Sequence, residues 1–359
     1  MKNFWYPLTL SEDLPQGACK PVQLFGEPLV LFRGESGEPI CLIDRCPHRS
    51  IPLSLGRVEQ GRIECRYHGW QFGARGQCLR IPSQKAEVRI PPRACAQHRA
   101  CAERHGMVWV WAGAADATEA AGASGDAIDG AYGPALAPLG DEGMYAHTYD
   151  ARIDVPHELA IENLLDPAHL PFTHHGTMSR RSFAQPIRFD DLDDGHAVIS
   201  AQSVIEPPQG APVPPIERVV FRFYEPCIAV LDLFGKPKGK FQMRSYQVHF
   251  CVPVAKDASH MFSFYGANFM RPFKRLLKPI FRRLAAKALD QDFEVLRAQK
   301  IAMGRGAPPF DQAVAADRLA LRYRKWLADN LLDSLWFDGF VDASHPSLKI
   351  ASARAEDVG

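Results

Sequence analysis

Through the first third of the chain, apolar and polar residues alternate in short runs cut by Gly or Pro: "PVQLFG", "PLVLFRG", "PICLID", "RIECRY", "WQFGARGQCLRI" and "GMVWVWAG". A period of two over so few residues is that of half-buried strands, so 1–115 predicts a small antiparallel β domain. The next stretch, "AGAADATEAAGASGDAIDGAYGPALAPLG", is rich in Ala and Gly without an apolar period. It reads as a surface linker or flexible insertion, and 116–140 is the predicted domain boundary. From 141 the pattern changes. "MYAHTYDARIDVP" predicts a strand and "PHELAIENLLDPAHL" a helix opened by Pro156; "AVISAQSVI", "RVVFRFYE", "IAVLDLFG" and "SYQVHFCVPV" alternate like strands. Leu284, Ala285, Ala288, Leu289, Leu296 and Ile301 recur at helical spacing over 280–303, and a second helix is predicted at 315–332. The predicted class is α+β, the second domain (141–350) being a helix-grip layout in which an antiparallel sheet wraps over a long helix.

Composition agrees with two globular domains in 359 residues, at 46% hydrophobic and 23% charged. With 42 basic residues against 41 acidic, the net charge of +1 provides no whole-molecule attraction to nucleic acid. The N-terminal "MKNFWYPLTL" lacks the apolar core of a signal peptide, and no run of about 18 apolar residues predicts a membrane span. Nine scattered cysteines do not make a disulfide scaffold, which points to a reducing cytoplasm.

Chemistry enters with Cys46-x-His48, followed after sixteen residues by Cys65-x2-His68. Two thiolates and two imidazoles satisfy a tetrahedral structural zinc site. Each loop, however, mixes one Cys with one His at short range, which suits a centre in which both cysteines take one iron and both histidines the other. That is the Rieske 2Fe-2S arrangement, a one-electron carrier.

A second constellation lies in "IENLLDPAHLPFTHHGT". Asn163, Asp166 and His169 step by three and share a helix face. Pro171 is expected to break that helix so that His174 folds back beside His169. Two histidines need a carboxylate to complete the facial triad of a non-haem Fe(II) site. Asp292, among apolar neighbours on a predicted helix, is the candidate, with Asp290 and Glu294 as competitors.

Together, "CPHR…CRYHGWQF", Glu162-Asn163-x2-Asp166-x2-His169-x4-His174 and "DFEVLRAQ" from Asp292 resemble the catalytic subunits of the Rieske non-haem iron oxygenases, in the family's order and over nearly the whole chain. The resemblance implies that Cys46, His48, Cys65 and His68 bind the cluster and that His169, His174 and Asp292 hold Fe(II). It implies Asp166 and Asn163 as catalytic residues, Asp166 bridging an iron-ligand histidine to a cluster histidine of an adjacent subunit. A homotrimer follows from such a bridge. His175 is read as a neighbour of the site, not a ligand.

The chain has no dinucleotide or flavin fingerprint, so the resemblance further implies electrons from NAD(P)H through a separate flavin reductase, with or without a ferredoxin. Arg49, Arg57, Arg62 and Arg66 around the loops are candidates to dock an acidic donor, and the basic stretch 270–289 is a candidate contact for a membrane or ferredoxin, with a solvated helix face as its alternative. The motifs look most like single-subunit-type members, O- and N-demethylases, pheophorbide-a-oxygenase-like enzymes and natural-product hydroxylases. They imply O2-dependent monooxygenation of an apolar, ring-containing substrate. Competing readings are a cis-dihydroxylating dioxygenase and a pure electron-transfer protein. Phe172, Met178 and the 185–265 strands are candidates to line the cavity.

Overall fold

The computed structural model describes residues 3–113, 125–140, 145–206, 210, 215–269, 274–308, 310 and 312–331. They form two compact units that divide between Ala131 and Tyr132.

The first unit is built of short antiparallel strands: β1 (Trp5–Leu10), β2 (Cys19–Leu24), β3 (Glu27–Arg33), β4 (Pro39–Ile43), β5 (Arg57–Glu59), β6 (Arg62–Glu64), β7 (Gln71–Phe72), β8 (Cys78–Arg80), β9 (His98–Arg99), β10 (Cys101–Arg104) and β11 (Met107–Trp111). They pair as β1-β11-β10, β2-β3-β4-β9 and β5-β6-β7-β8. Every residue of β1 is buried, so the N-terminal run is a core strand that pairs along β11 from Trp5↔Trp111 to Leu10↔Met107. Val30, Phe32, Leu42, Leu53, Ile63 and Phe72 pack into one cluster that also takes in Cys46 and Cys65. Burying each large apolar side chain contributes about 1.5–3 kcal/mol, and that packing anchors the bases of both Cys/His loops.

The predicted linker 116–140 is corrected by α1 (Gly125–Gly140). Its Ile128, Tyr132, Ala135 and Leu136 are buried. Their spacing of four, three and one is a helical stripe, hidden in the sequence because the residues between them are small and nearly neutral in hydropathy. Residues 116–124 lie outside the described residues.

The second unit holds β12 (Tyr145–Ile153), α2 (His157–Leu164), α3 (Leu170–Thr173), β13 (Asp190–Asp191), β14 (Ile199–Val204), β15 (Ile216–Tyr224), β16 (Ile228–Gly235), β17 (Arg244–Ala255), β18 (Ala258–Ala267), α4 (Lys274–Gly304) and α5 (Arg318–Leu331). Its sheet is antiparallel, in the order β12-β18-β17-β16-β15-β14-β13. The α+β class and the sheet-over-helix layout therefore hold. Phe223 on β15 meets Tyr323 on α5 edge-on at 4.9 Å, which places α5 on the sheet face that carries Phe223. Tyr246 of β17 donates its hydroxyl to the Ala135 carbonyl at 3.0 Å.

Two helix expectations change. α4 begins at Lys274, ahead of the predicted 280, and runs through Pro279, whose missing N–H forfeits one helical bond. Ala288, Leu289 and Leu296 of its predicted apolar face are buried beside Asp292 and Phe293, while Leu284 and Ile301 are exposed. Residues 332–350 of the predicted second domain lie outside the described residues.

Candidate functional site

The two Cys/His loops share one backbone design. The Cys46 N–H donates to the Ile51 carbonyl and the Ser50 N–H to the Cys46 carbonyl, at 2.8 and 2.9 Å. Cys65 repeats both bonds with Trp70 and Gly69, at the same two distances. The fifth residue of each loop is left-handed, Ser50 at φ 58° and Gly69 at φ 70°, which glycine adopts without cost and serine does not. The pseudo-twofold pairing puts both sulfurs inside and both imidazoles outside. Cys46 and Cys65 are each 2% exposed, while His48 and His68 are exposed with ring centroids 4.6 Å apart. His48 also stacks on Trp70 at 4.6 Å.

Burial pushes the Cys46 thiol up to about 11, opposed by the backbone amides of His48 and Arg49 that point at its sulfur. Both cysteines are free thiols. Two inner sulfurs facing each other, with amide donors aimed at one of them, and two outer imidazoles fit a 2Fe-2S cluster with one iron on each kind of ligand. Arg49, Arg62 and Arg66 around the loops are exposed. Arg57 instead turns to Glu64 at 2.9 Å and Glu59 at 3.2 Å.

In the second unit, Pro156 caps α2 as the sequence predicts, but the chain leaves the helix at Leu165, ahead of Pro167. Pro171 does not break a helix. It sits in the first turn of the short α3, where a missing N–H is harmless, and His169 and His174 are the caps at its two ends. One turn of helix therefore aims both rings at a common point, with centroids 5.3 Å apart. α4 delivers Asp292 to the same point: its Oδ1 lies 3.2 Å from His174 Nε2 and 3.4 Å from His169 Nε2. One donor atom from each of the three residues lies within 4.8 Å of the others. The competitors Asp290 and Glu294 are exposed.

Asp292 is 6% exposed, and its Oδ1 is buried without an aligned hydrogen-bond partner despite those short distances. A buried carboxylate oxygen facing two imidazole nitrogens calls for positive charge at that point, either a proton on a ring or a cation held by all three residues. Two imidazoles and a carboxylate converging this way suit Fe(II). Burial alone would raise the Asp292 pKa, but the two histidines hold it below the usual carboxylate range. Burial also pulls His169 down, and Asp166 and Asp292 together outweigh it, lifting the ring to about 9.

Around these three stand groups that orient them. Gln291 Oε1 lies 3.2 Å from His174 Nδ1 and accepts the Thr177 hydroxyl at 2.8 Å. Asp166 approaches His169 Nδ1 at 3.6 Å, too long for a formed hydrogen bond, while its other oxygen accepts the Ala168 N–H at 2.7 Å. His175 is exposed and accepts the Arg181 N–H at 3.2 Å, away from the centre. Gln291 was missed because one amide on a charged helix carries no spacing signal.

A cavity of about 270 Å³ lies over the three residues, between the sheet and α4, with Asn163 and Asp166 in its wall. Most of its lining is apolar. Met178 contributes to it; Phe172 is exposed to solvent.

Comparison with known proteins decides the family. Residues 4–107 match the Rieske [2Fe-2S] domain, and residues 153–332 match the vanillate O-demethylase oxygenase C-terminal domain. The chain belongs to the Rieske non-haem iron oxygenases. It is 32% identical to chlorophyllide a oxygenase of Arabidopsis thaliana, over 94% of this chain and 60% of the relative. It is 30% identical to the "Putative toluene-4-sulfonate monooxygenase system iron-sulfur subunit TsaM2" of Comamonas testosteroni, over 92% of this chain and 97% of that one. The crystal structure of dicamba monooxygenase bound to dicamba shares the fold at a TM-score of 0.75 and 23% identity, covering 91% of this chain and 96% of that chain. This chain spans 60%, 48% and 56% of the length of three plant and algal chlorophyllide a oxygenases. No helix among the described residues is long and apolar enough to cross a membrane.

Proposed function

We propose that this chain is the terminal component of an oxygenase system that uses O2 and NAD(P)H-derived electrons to monooxygenate an apolar, ring-containing compound, by hydroxylation, O- or N-demethylation or oxidative cyclisation. The observation that carries this reading is the convergence of His169, His174 and Asp292 beneath a mostly apolar cavity, in a chain that also bears the paired Cys/His loops. Iron held by those three residues supplies oxygen activation, and a cluster held by Cys46, His48, Cys65 and His68 supplies electrons one at a time.

The protein's own groups prepare both centres. Gln291 accepts the Nδ1 proton of His174, which leaves that ring's Nε2 lone pair for the iron that His169, His174 and Asp292 would hold. Asp166 does the same for His169 when it closes the 3.6 Å gap. Asn163 faces the same cavity and belongs to the same polar wall. Asp166→Asn is expected to lower turnover or iron affinity about 10–100-fold, read from iron content and steady-state rate side by side.

Asp166 is also the proposed bridge to a cluster-side histidine of a neighbouring copy, which requires a closed ring of three chains. Native mass spectrometry of the untagged protein is expected to give three times the monomer mass; a monomer would remove the bridge. The exposed imidazoles, with Arg49, Arg62 and Arg66 around them, form the proposed dock for a reductase or ferredoxin. The seven cysteines other than Cys46 and Cys65 form no disulfide, which supports a reducing compartment; a plant relative is named chloroplastic.

The test of the whole reading is NAD(P)H-driven oxygen uptake by the red-brown protein with a reductase, one substrate oxidised per O2 consumed: ¹⁸O₂ should place one labelled atom in a hydroxylated product, while demethylation releases formaldehyde and cyclisation leaves both oxygen atoms in water. A colourless, zinc-loaded protein would sink it.

A further inference from the structure

The cavity floor is a row of four side chains in register across the sheet. Phe221 pairs with Leu231, Leu231 with Gln247 and Gln247 with Tyr265, and all four line the cavity. Three members are apolar or aromatic and would grip a ring from its face. Gln247 is the exception, set in the middle of the row.

Its amide is oriented with the oxygen toward His249. His249, two residues along β17 on the same face, is 1% exposed. Its Nδ1 lies 2.8 Å from Ser263 Oγ and its Nε2 lies 3.3 Å from Gln247 Oε1. Burial lowers the His249 pKa to about 4, so the ring is neutral and carries one proton. With the amide oxygen on the Nε2 side, a neutral ring makes both contacts in one tautomer. Ser263 donates to Nδ1, and Nε2–H donates to the amide oxygen. With Oε1 engaged in this way, the N–H pair of Gln247 is the part presented to the cavity.

We propose that Gln247 anchors the substrate by donating an amide N–H to an acceptor oxygen, so that the cavity selects ring compounds bearing a carbonyl over the matching hydrocarbon. The proposal rests on the oxygenase reading above. A hydrocarbon leaves the amide donor desolvated without a partner. His249 acts through Gln247 and is a positioning residue.

The test uses 1-tetralone and tetralin as probes, titrated calorimetrically into the iron-loaded full chain without O2 or reductant. The wild type is expected to bind the ketone about tenfold more tightly than the hydrocarbon. Gln247→Leu is expected to bring ketone and hydrocarbon to equal affinity. Gln247→Met, closer in shape, gives the same readout should the leucine variant not fold. His249→Phe keeps the amide but frees it to rotate, and is expected to reduce the preference about threefold. Equal wild-type affinities, no measurable binding of either neutral probe, or a preference that survives loss of the amide would overturn the assignment. Because binding is measured without turnover, a selective protein that oxygenates nothing would count against the oxygenase reading and leave the anchor standing.

Discussion

Asp292→Ala is expected to strip the mononuclear iron and lower turnover more than about 100-fold, while the cluster's absorption and reduced EPR signal persist. Losing a group that only orients a ligand costs about 10–100-fold, and Asp292 stands in direct contact range of both histidines, so its removal must exceed that. The substitution deletes the one carboxylate among the three convergent donors and leaves two imidazoles, a weaker and neutral set for a hard divalent ion. It does not touch the other unit, where Cys46, His48, Cys65 and His68 sit on their own core. The controls are on the same helix: Asp290→Ala and Glu294→Ala remove exposed carboxylates and are expected to change turnover less than twofold. Iron content, EPR and rate measured on one preparation separate the outcomes. Full activity in the Asp292 variant would refute the triad, and simultaneous loss of the cluster would refute the division of labour between the two units.

What the sequence reveals of this site follows from how metals are bound. Ligands must sit at short, fixed separations on turns, so Cys46-x-His48, Cys65-x2-His68 and His169-x4-His174 are legible as spacing alone. Asp292 needed a helix pattern besides, because the partner of a local motif arrives from a distant element. Gln247 and His249 were not legible: in "SYQVHFCVPV" they look like the polar face of a solvated strand, and only the sheet's partner row shows that this face is covered by α4. The error at α1 has the opposite cause. Its four buried residues hold a helical period, but Ala and Gly dilute it below notice, and tertiary packing supplies the stability that local propensity does not. Pro171 misled for a third reason, since a proline that ends one helix and a proline that starts another are identical in sequence. Arg324, within "RYRKW", reads as one solvated cation among several, yet it is 1% exposed.

That arginine carries the largest stability effect expected of any single side chain in the second unit. Its Nη2 donates to Glu162 Oε2 at 2.5 Å, joining α5 to α2, and its guanidinium lies 4.9 Å from the Phe310 ring centroid. Arg324→Met is expected to cost about 3–5 kcal/mol, because a buried pair broken on one side strands the other charge. Glu162 can escape part of that cost by taking a proton, and this gives the loss a sign in pH. Burial lifts Glu162 to about 7 against the opposing pull of Arg324, with Glu158 adding to the rise. A carboxyl whose folded pKa is raised contributes stability that is complete below its ordinary pKa and is lost as pH rises through the folded value. Without the arginine the folded pKa climbs further, so the loss continues above pH 7. Urea unfolding should therefore find the variant's deficit larger at pH 8 than at pH 6. The double variant Glu162→Gln with Arg324→Met should recover part of the stability and flatten the difference between the two pH values. An equal deficit at both pH values would mean that the missing energy is packing and not charge. The distinction bears on catalysis, since Glu162 precedes Asn163 on the helix that leads into Asp166 and His169: a charge stranded there disturbs the wall of the cavity before it unfolds the domain.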